Sequence, residues 1–529
     1  MVSRAEVTAW LEDEVDPGAA AELQALLDAG DDTELADRFA APLAFGTAGL
    51  RGPMRAGPNG MNRTVVRRAA AGLAAWLREA GFAQRPVVVG FDARHGSAEF
   101  ARDSAAIFAA AGFDARLMPR PLPTPVTAFA VQRFDAAAGV VVTASHNPPQ
   151  DNGYKVYAAD GAQIVPPADR EIEAAIGDVG STREIPLAPS EVSVLDDSIV
   201  SAYVDSVAAL VEDGPRELAI VYTAMHGVGA TLAQRVFAAA GFAPLVAVPQ
   251  QERPDPDFPT VSFPNPEEPG ALDLSFALAA ASSADLVIAN DPDADRCAVA
   301  VPDPSGAWRM LRGDEVGVLL ADALMRKGIR GTYATTIVSS SLLGKLAGRR
   351  GVGYAETLTG FKWISRAAPD LVYGYEEALG YAVAPTLVRD KDGLSAALLV
   401  AELAASLKAA GSSLLDRLDE FAAEFGRYST DQLSLRVSDL AVIETTMRRL
   451  RAAPPTHLLG MAVRCEDLLP DADVVRLSFD GGRVVVRPSG TEPKLKAYLE
   501  VVELSGSAAP AAARMAVLRD EVSAALGIS

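Results

Sequence analysis

The chain has little cysteine. Only Cys297 and Cys465 occur in 529 residues, too few for a disulfide framework and not in a Cys-x-x-Cys spacing, so neither a stapled extracellular fold nor a dithiol centre is expected. Positive charge is also short: 48 basic residues face 69 acidic ones, for a net charge of −21. That balance argues against nucleic acid or an anionic membrane surface as partner, and it requires any anionic ligand to be held by local basic clusters. No apolar run approaches the ~18 residues of a membrane span. Glu6, Glu12, Asp13 and Glu14 surround Trp10 and Leu11 near the N-terminus, which is not the basic start and apolar core of a signal peptide. A cytoplasmic protein is the expectation. Nucleotide-binding loops are missing too: the glycine-rich stretch Phe45 to Gly52 fits neither G-x-G-x-x-G nor G-x-x-x-x-G-K-[ST].

What is present is an ordinary globular composition, 49% hydrophobic and 22% charged, in a chain long enough for three or four domains at about 100–200 residues each. A unit recurs. Pro86 to Phe91 reads as a buried strand, followed by a polar turn and an Ala-rich helix stopped at Gly112. Leu218 to Tyr222, the turn Ala224 to Gly229 and a helix stopped at Gly241 repeat it, and Tyr333 to Val338 with a helix from Ser340 to Gly351 repeat it more faintly. Each unit then offers a further apolar strand running into a polar loop. Ala136 to Val142 delivers Ser145-His146-Asn147-Pro148, Leu286 to Ala289 delivers Asp291 to Arg296, and Leu371 to Tyr375 delivers Glu376 to Gly380. Alternating strands and helices predict mostly parallel sheets with ligands at the carboxyl ends of strands, so the three loops are expected to converge on a central cleft. The last hundred residues differ. Gln432 to Val437 alternates as a half-exposed strand, and Val474 to Phe479 with Arg483 to Arg487 brackets a hairpin turn at Asp480-Gly481-Gly482. The expectation is three similar α/β domains with mixed, mostly parallel sheets plus a C-terminal α+β domain, bounded at 1–195, 196–308, 309–425 and 426–529.

The loops carry the chemistry. Asp291, Asp293 and Asp295 place three carboxylates at i, i+2 and i+4, where they can turn toward one hard cation. Arg296 and Pro302 stand where a calcium loop needs glycine and glutamate, so a catalytic divalent cation fits better. Paired with the Ser145 hydroxyl, the triad reads as phosphoryl transfer through a metal-bound phosphoserine. Ser145 and His146 do not form a hydroxyl–imidazole pair on this reading, because successive strand residues point to opposite faces. Arg487 to Lys496 gathers a guanidinium, two hydroxyls, a glycine and two ammonium groups, a composition suited to an oxyanion. The Phe45 to Gly52 loop projects Arg51. Lys155 and Lys391 each sit at an apparent turn, and taken alone either reads as a surface residue. His95, His226 and His457 read as structural.

Taken in order, these loops resemble those of the α-D-phosphohexomutase family over nearly the whole chain. Thr143 to Pro148 resembles its phosphoserine loop, Asp291 to Arg296 its metal loop, Glu376 to Gly380 its sugar-recognition loop and Arg487 to Thr491 its phosphate loop. The resemblance implies a phosphoryl group on Ser145, one Mg²⁺ per active site held by Ser145, Asp291, Asp293 and Asp295, and glucose 1,6-bisphosphate or a similar bisphosphate as activator. It asks Arg51, His146, Lys155 and Lys391 to position a sugar hydroxyl and move its proton, with the two lysines as candidate bases. Arg296, Thr359, Gly360, Lys362, Glu376 and Ala378 are then expected to contact the substrate, and Arg487, Ser489, Gly490, Thr491 and Lys496 to grip the phosphate that does not react. Ala378 stands where the family usually has serine. That loss of a polar contact, the Thr359 to Lys362 loop and the long N-terminus point to the glucose- and pentose-acting branch. Glucose 1-/6-phosphate mutase is the leading expectation, with phosphopentomutase or phosphomannomutase as alternatives and a sugar-1,6-bisphosphate synthase behind them. The implied partner is a small sugar phosphate. No oligomeric partner is implied.

Overall fold

The computed structural model describes residues 3–437, 440–489 and 494–527. The chain divides into two compact units, the first formed by Met1–Leu311 with Gly380–Ser406 and the second by Arg312–Leu379 with Leu407–Ser529.

In the first unit a six-stranded sheet runs Leu50–Pro53, Asp151–Ala158, Ala138–Val142, Val87–Phe91, Ala115–Leu117, Ser193–Val194. Val87–Phe91 pairs in parallel with both Ala138–Val142 and Ala115–Leu117. The connections there are the helices Ser97–Ala110 and Thr124–Arg133, and a parallel pair requires such a crossover. Val87, Val88, Val89, Val140, Val141 and Val142 are fully buried, as strands covered on both faces must be. Gly112 ends the first helix at φ +90° and Gly241 ends its counterpart Ala230–Ala239 at φ +83°, the left-handed stops that the repeated pattern predicts.

Asp151–Ala158 was not expected, because Asn152-Gly153 looks like a turn. It is an antiparallel strand between Ala138–Val142 and Leu50–Pro53, placing Arg51 opposite Gly153. Gly153 is there for closeness: a Cβ at this position would lie 2.7 Å from the Thr143 carbonyl oxygen and 2.8 Å from that of Leu50. The sheet's edges are therefore mixed. The unit's other sheet has the order Trp308–Met310, Ala298–Pro302, Leu286–Ala289, Ile220–Thr223, Val246–Ala247, again parallel at its centre and antiparallel at one side. Ahead of both sheets, the helices Arg4–Asp13, Pro17–Ala29 and Asp32–Arg38 pack Val7, Leu23 and Leu35 against Ala56.

The second unit carries the third α/β domain, in which Thr332–Thr336 pairs in parallel with Gly353–Thr357 and Leu371–Glu376. Besides a two-stranded ribbon of His457–Leu458 and Met461–Ala462, it holds a wholly antiparallel sheet in the order Arg427–Arg436, Lys494–Glu503, Gly482–Pro488, Val475–Phe479, Arg464–Asp467, with Leu440–Ala452 and Ala508–Leu526 as helices. The hairpin turns at Gly481, φ +75°. Three α/β domains and a C-terminal α+β domain are thus the architecture. Among the described residues no single helix is long and apolar enough to cross a membrane.

Candidate active site

Three loops that end strands each hold a non-glycine residue in the left-handed region: Ser145 at φ +52°, Ala294 at +53° and Leu379 at +63°. Such residues cost about 1–3 kcal/mol each and persist where surrounding contacts over-determine them. At Ser145 those contacts are visible. Its N–H donates to Thr143 Oγ1 (2.9 Å), its carbonyl accepts from Arg94 Nη2 (2.7 Å), and its Oγ donates to Asp291 Oδ2 (2.7 Å). The turned backbone also brings His146 Nδ1 to 3.3 Å from Ser145 Oγ. Strand geometry would keep these two side chains apart, and that expectation is corrected: Ser145 lies beyond the strand's end and its positive φ breaks the alternation.

The metal loop is built with equal tightness. Asp291, Asp293 and Asp295 are essentially fully buried, with one carboxylate oxygen from each lying within 4.8 Å of the others. Ala294 N–H closes the turn on the Asp291 carbonyl at 2.8 Å, and Asn290 Nδ2 holds the Arg296 carbonyl at 2.5 Å. Gly393 allows the next element to approach, because a Cβ there would stand 2.2 Å from the Arg296 carbonyl oxygen and 2.8 Å from that of Ala294.

Three buried acids need cations, and Arg296 does not supply them alone. Its Nε is 4.0 Å from Asp291 and 3.9 Å from Asp295. Lys155 supplies the closest charge: its ammonium donates to Asp293 Oδ2 (2.9 Å) and Asp295 Oδ2 (2.8 Å), while Lys391 Nζ lies 3.6 Å from Asp295 Oδ2. Both lysines are over nine-tenths buried, which corrects their reading as surface residues. Lys155 points inward from the unexpected strand. Lys391 is held between two anchored acids, Asp390 bonded by Tyr157 and Gln163, and Asp392 by Tyr203. Arg51 donates from Nη1 to Asn147 Oδ1 at 3.2 Å, at the rim of the Ser145 loop.

The electrostatics follow from this crowding. Burial pushes the Asp291 carboxyl well above the ordinary carboxylate range, and the charges of Asp293 and Asp295 add to the rise. Burial acts the same way on Asp293 and Asp295, but it is outweighed jointly by Lys155 and the Thr124 hydroxyl at Asp293 and by Lys155, Lys391 and Arg296 at Asp295, and both are held below that range. Lys155 is raised because Asp293 and Asp295 overcome its own burial. His146 is pushed well down by burial together with the cations Arg296 and Arg51, and so stays neutral. Two oxygens, Asp293 Oδ1 and Asp295 Oδ1, are buried with no hydrogen-bond partner among the described residues. Buried carboxylate oxygens left bare in this way are a fit for a hard divalent ion, which takes oxygen ligands.

In the second unit, Thr359 and Gly360 (φ +108°) precede the short helix Phe361–Ile364, and Lys362 Nζ lies 5.7 Å from the Trp363 ring. Glu376 ends its strand and Ala378 is half-buried. Between them Glu377 turns inward, accepting from Ser339 Oγ (3.0 Å) and Thr336 Oγ1 (3.3 Å). Burial and the Asp314 charge raise its carboxyl, and Lys496 is among the groups opposing that rise. Arg487 and Lys496 sit directly opposite in the antiparallel ladder. Like charges so placed repel unless an anion lies near. Ser489 N–H donates to the Lys494 carbonyl at 2.8 Å. Gly490 and Thr491 fall outside the described residues.

Sequence reasoning missed Arg94, Thr124 and Asp92, and it placed Thr143 in the serine loop without a role. Thr124 Oγ1 donates to Asp293 Oδ2 at 2.7 Å, and Thr143 Oγ1 to Asp92 Oδ2 at 2.7 Å. Asp92 and Arg94 were within reach, since they follow a strand in the same way as the other loops.

Four family models match in chain order: phosphoglucomutase/phosphomannomutase alpha/beta/alpha domain I over residues 42–183, domain II over 201–306, domain III over 312–425, and the C-terminal domain over 435–516. The chain belongs to this family, the α-D-phosphohexomutase superfamily, and is an enzyme of its kind, an intramolecular phosphotransferase. Among relatives, a Haemophilus influenzae protein named probable phosphomannomutase is 48% identical over 83% of this chain and 93% of its own length. The Mus musculus phosphopentomutase is 36% identical over 96% of this chain and 91% of its own. A crystal structure of a phosphomannomutase-type protein from Thermus thermophilus superposes with a TM-score of 0.74 at 27% identity, covering 91% of this chain and 99% of that one. The family is magnesium-dependent, and the buried triad could hold the ion.

Proposed function

We propose that this protein interconverts the 1- and 6-phosphates of a hexose, glucose foremost, through a phosphoserine at Ser145 and a sugar bisphosphate intermediate. One observation carries the reading: the Ser145 hydroxyl donates at 2.7 Å to a buried triad of carboxylates, two of which have a bare oxygen. Asp291, Asp293 and Asp295, with an oxygen of the Ser145 phosphoryl group, would hold Mg²⁺. When bound, that ion supplies Lewis-acid stabilisation of charge on the phosphoryl and leaving oxygens.

In the transfer, the bond from phosphorus to Ser145 Oγ breaks, a bond to the sugar hydroxyl oxygen forms, and the hydroxyl proton passes to a base. The bisphosphate turns end for end and the reverse transfer restores phosphoserine. His146, kept neutral and 3.3 Å from Ser145 Oγ, is able to accept a proton. Lys155, expected from the resemblance as a candidate base beside Lys391, is held protonated by two carboxylates, which favours a role in steadying the moving phosphoryl group, with Lys391 and Arg51 beside it. Arg296, Thr359, Gly360, Lys362, Glu376 and Ala378 contact the sugar phosphate. Arg487, Ser489, Gly490, Thr491 and Lys496 take the phosphate at rest. Glucose 1,6-bisphosphate or a similar bisphosphate primes the cycle, and a reducing cytoplasm suits the two unpaired cysteines.

A pentose substrate is the second reading, favoured by Ala378 in place of a hydroxyl donor and by the likeness to a phosphopentomutase over 96% of the chain. Purified protein, primed with glucose 1,6-bisphosphate and Mg²⁺, is to be offered glucose, mannose, glucosamine and ribose 1-phosphates side by side. Glucose or ribose is expected to turn over fastest, and a strong mannose preference overturns that ranking. Peptide mapping of protein under turnover is expected to find Ser145 esterified. Its absence there refutes the mechanism, and net release of bisphosphate from an acyl-phosphate donor moves the assignment to a synthase.

A further inference from the structure

The Arg94 guanidinium is almost wholly buried and takes no part in the chemistry assigned above. Its Nη2 donates to the carbonyls of Ser145 (2.7 Å) and Asn147 (2.5 Å), and its Nη1 to those of Pro148 (2.8 Å) and Asp151 (3.2 Å). Three carbonyls of the serine loop and that of Asp151, which opens the next strand, therefore converge on one side chain. Arginine alone offers enough N–H groups in a rigid plane to serve them, while lysine is a point charge.

The support beneath the guanidinium is equally specific. Asp92 Oδ2 stands 3.4 Å from Arg94 Nε, and the Phe258 ring lies under the guanidinium at 4.9 Å. Asp92 also reaches Ser145 by a second route, because it accepts from Thr143 Oγ1, which in turn accepts from Ser145 N–H. Both peptide groups flanking Ser145 are thus tied to the Asp92–Arg94 pair, the carbonyl directly and the N–H through Thr143. Fixing both sets the backbone dihedrals of Ser145, and those dihedrals aim Oγ at Asp291.

We propose that Arg94 is a positioning residue for phosphoryl transfer, holding Ser145 in its left-handed conformation so that Oγ faces the Asp291, Asp293 and Asp295 triad. The inference rests on the reading of Ser145 as the phosphorylated residue. It is a claim about turnover and not about substrate affinity, because Arg94 meets only backbone of the serine loop.

The test compares wild type, Arg94→Lys and Arg94→Ala for kcat, KM for the sugar 1-phosphate, esterification of Ser145 after priming, and thermal midpoint in Mg²⁺. Misplacing a reacting group by ~1 Å costs about a hundredfold in rate, so Arg94→Lys is expected to lose about that in kcat with KM within about threefold. Added guanidinium ion is expected to restore kcat of Arg94→Ala saturably. A kcat for Arg94→Lys within about threefold of wild type overturns the proposal, as does folded Arg94→Ala that guanidinium leaves unimproved, or a loss confined to KM. Should both variants fail to fold, Thr143→Val cuts only the other tether. The same fall in kcat at unchanged KM is expected, and an unchanged kcat overturns the proposal. Wild type that turns over with Ser145 never esterified removes the reading beneath, whereas esterified wild type with fully active Arg94 variants removes this inference alone.

Discussion

Replacing Lys155 by methionine tests the electrostatic account of the triad. The ammonium stands 2.9 Å from Asp293 and 2.8 Å from Asp295, and both acids are buried. Breaking a buried pair by removing one partner costs about 3–5 kcal/mol, because the remaining charge is left uncompensated. An unfolding entropy of about 2.1 cal/mol/K per residue, applied to a first unit of about 340 residues, converts that to a fall of roughly 4–7 °C in its midpoint. The fall belongs to the metal-free protein. Saturating Mg²⁺ brings back positive charge without competition from the amine, so the midpoint is expected to rise more in the variant than in wild type. Lys155 is raised in the fold. Its contribution is therefore fully present below the ordinary lysine range and is lost only as pH rises beyond it, so the difference is expected to stay level from about pH 5 to pH 9. Differential scanning calorimetry in chelator and in Mg²⁺ reads both quantities. A midpoint lowered by less than about 1 °C in chelator, or a smaller Mg²⁺ response than wild type, refutes the argument.

Gly393→Ala is expected to cost about 1–3 kcal/mol and at least tenfold in turnover. Its Cβ meets backbone oxygens of the metal loop, which cannot yield without moving Ala294 and Arg296. Gly348→Ala is the control. It lies within the helix Leu342–Arg350 with open space around it and is expected to be neutral or stabilising by up to about 1 kcal/mol. Unchanged activity in Gly393→Ala contradicts the close approach. Asp314 in the second unit is buried and its carboxyl is pushed up to about 6, chiefly by burial. An acid whose folded pKa is raised loses stability as pH climbs from the unfolded value through the folded one. Asp314→Asn is therefore expected to raise the second unit's midpoint at pH 7.5, with a benefit of at most ~3 kcal/mol that vanishes below about pH 4. A benefit independent of pH argues against the shift.

What could be read from the chain depended on whether a residue acts through local pattern or through distant contact. The strands ending at Val142, Ala289 and Glu376 and the loops after them were legible, because buried parallel strands make continuous apolar runs and their polar ends stand out. The Asp291 triad was legible because three acids in five residues repel without a cation. Lys155 was not. Its strand opens with Asn152-Gly153, and only the approach of the Thr143 and Leu50 carbonyls explains a glycine inside a ladder. The Ser145–His146 contact was hidden by a positive φ that no residue type advertises. Arg94 was hidden because its partners are four backbone carbonyls, and these leave no trace in side-chain identity.

The first unit is built from two stretches of chain, with Gly380–Ser406 joining Met1–Leu311 across the intervening 68 residues from Arg312 to Leu379. During synthesis the triad emerges well before Lys391, and before Asp392, whose carboxylate accepts from Tyr203. At about 5–20 residues per second the ribosome needs several seconds to span that gap. Through that interval the nascent chain carries three acids with Lys155 and Arg296 but without Lys391, whose ammonium stands 3.6 Å from Asp295 in the finished fold.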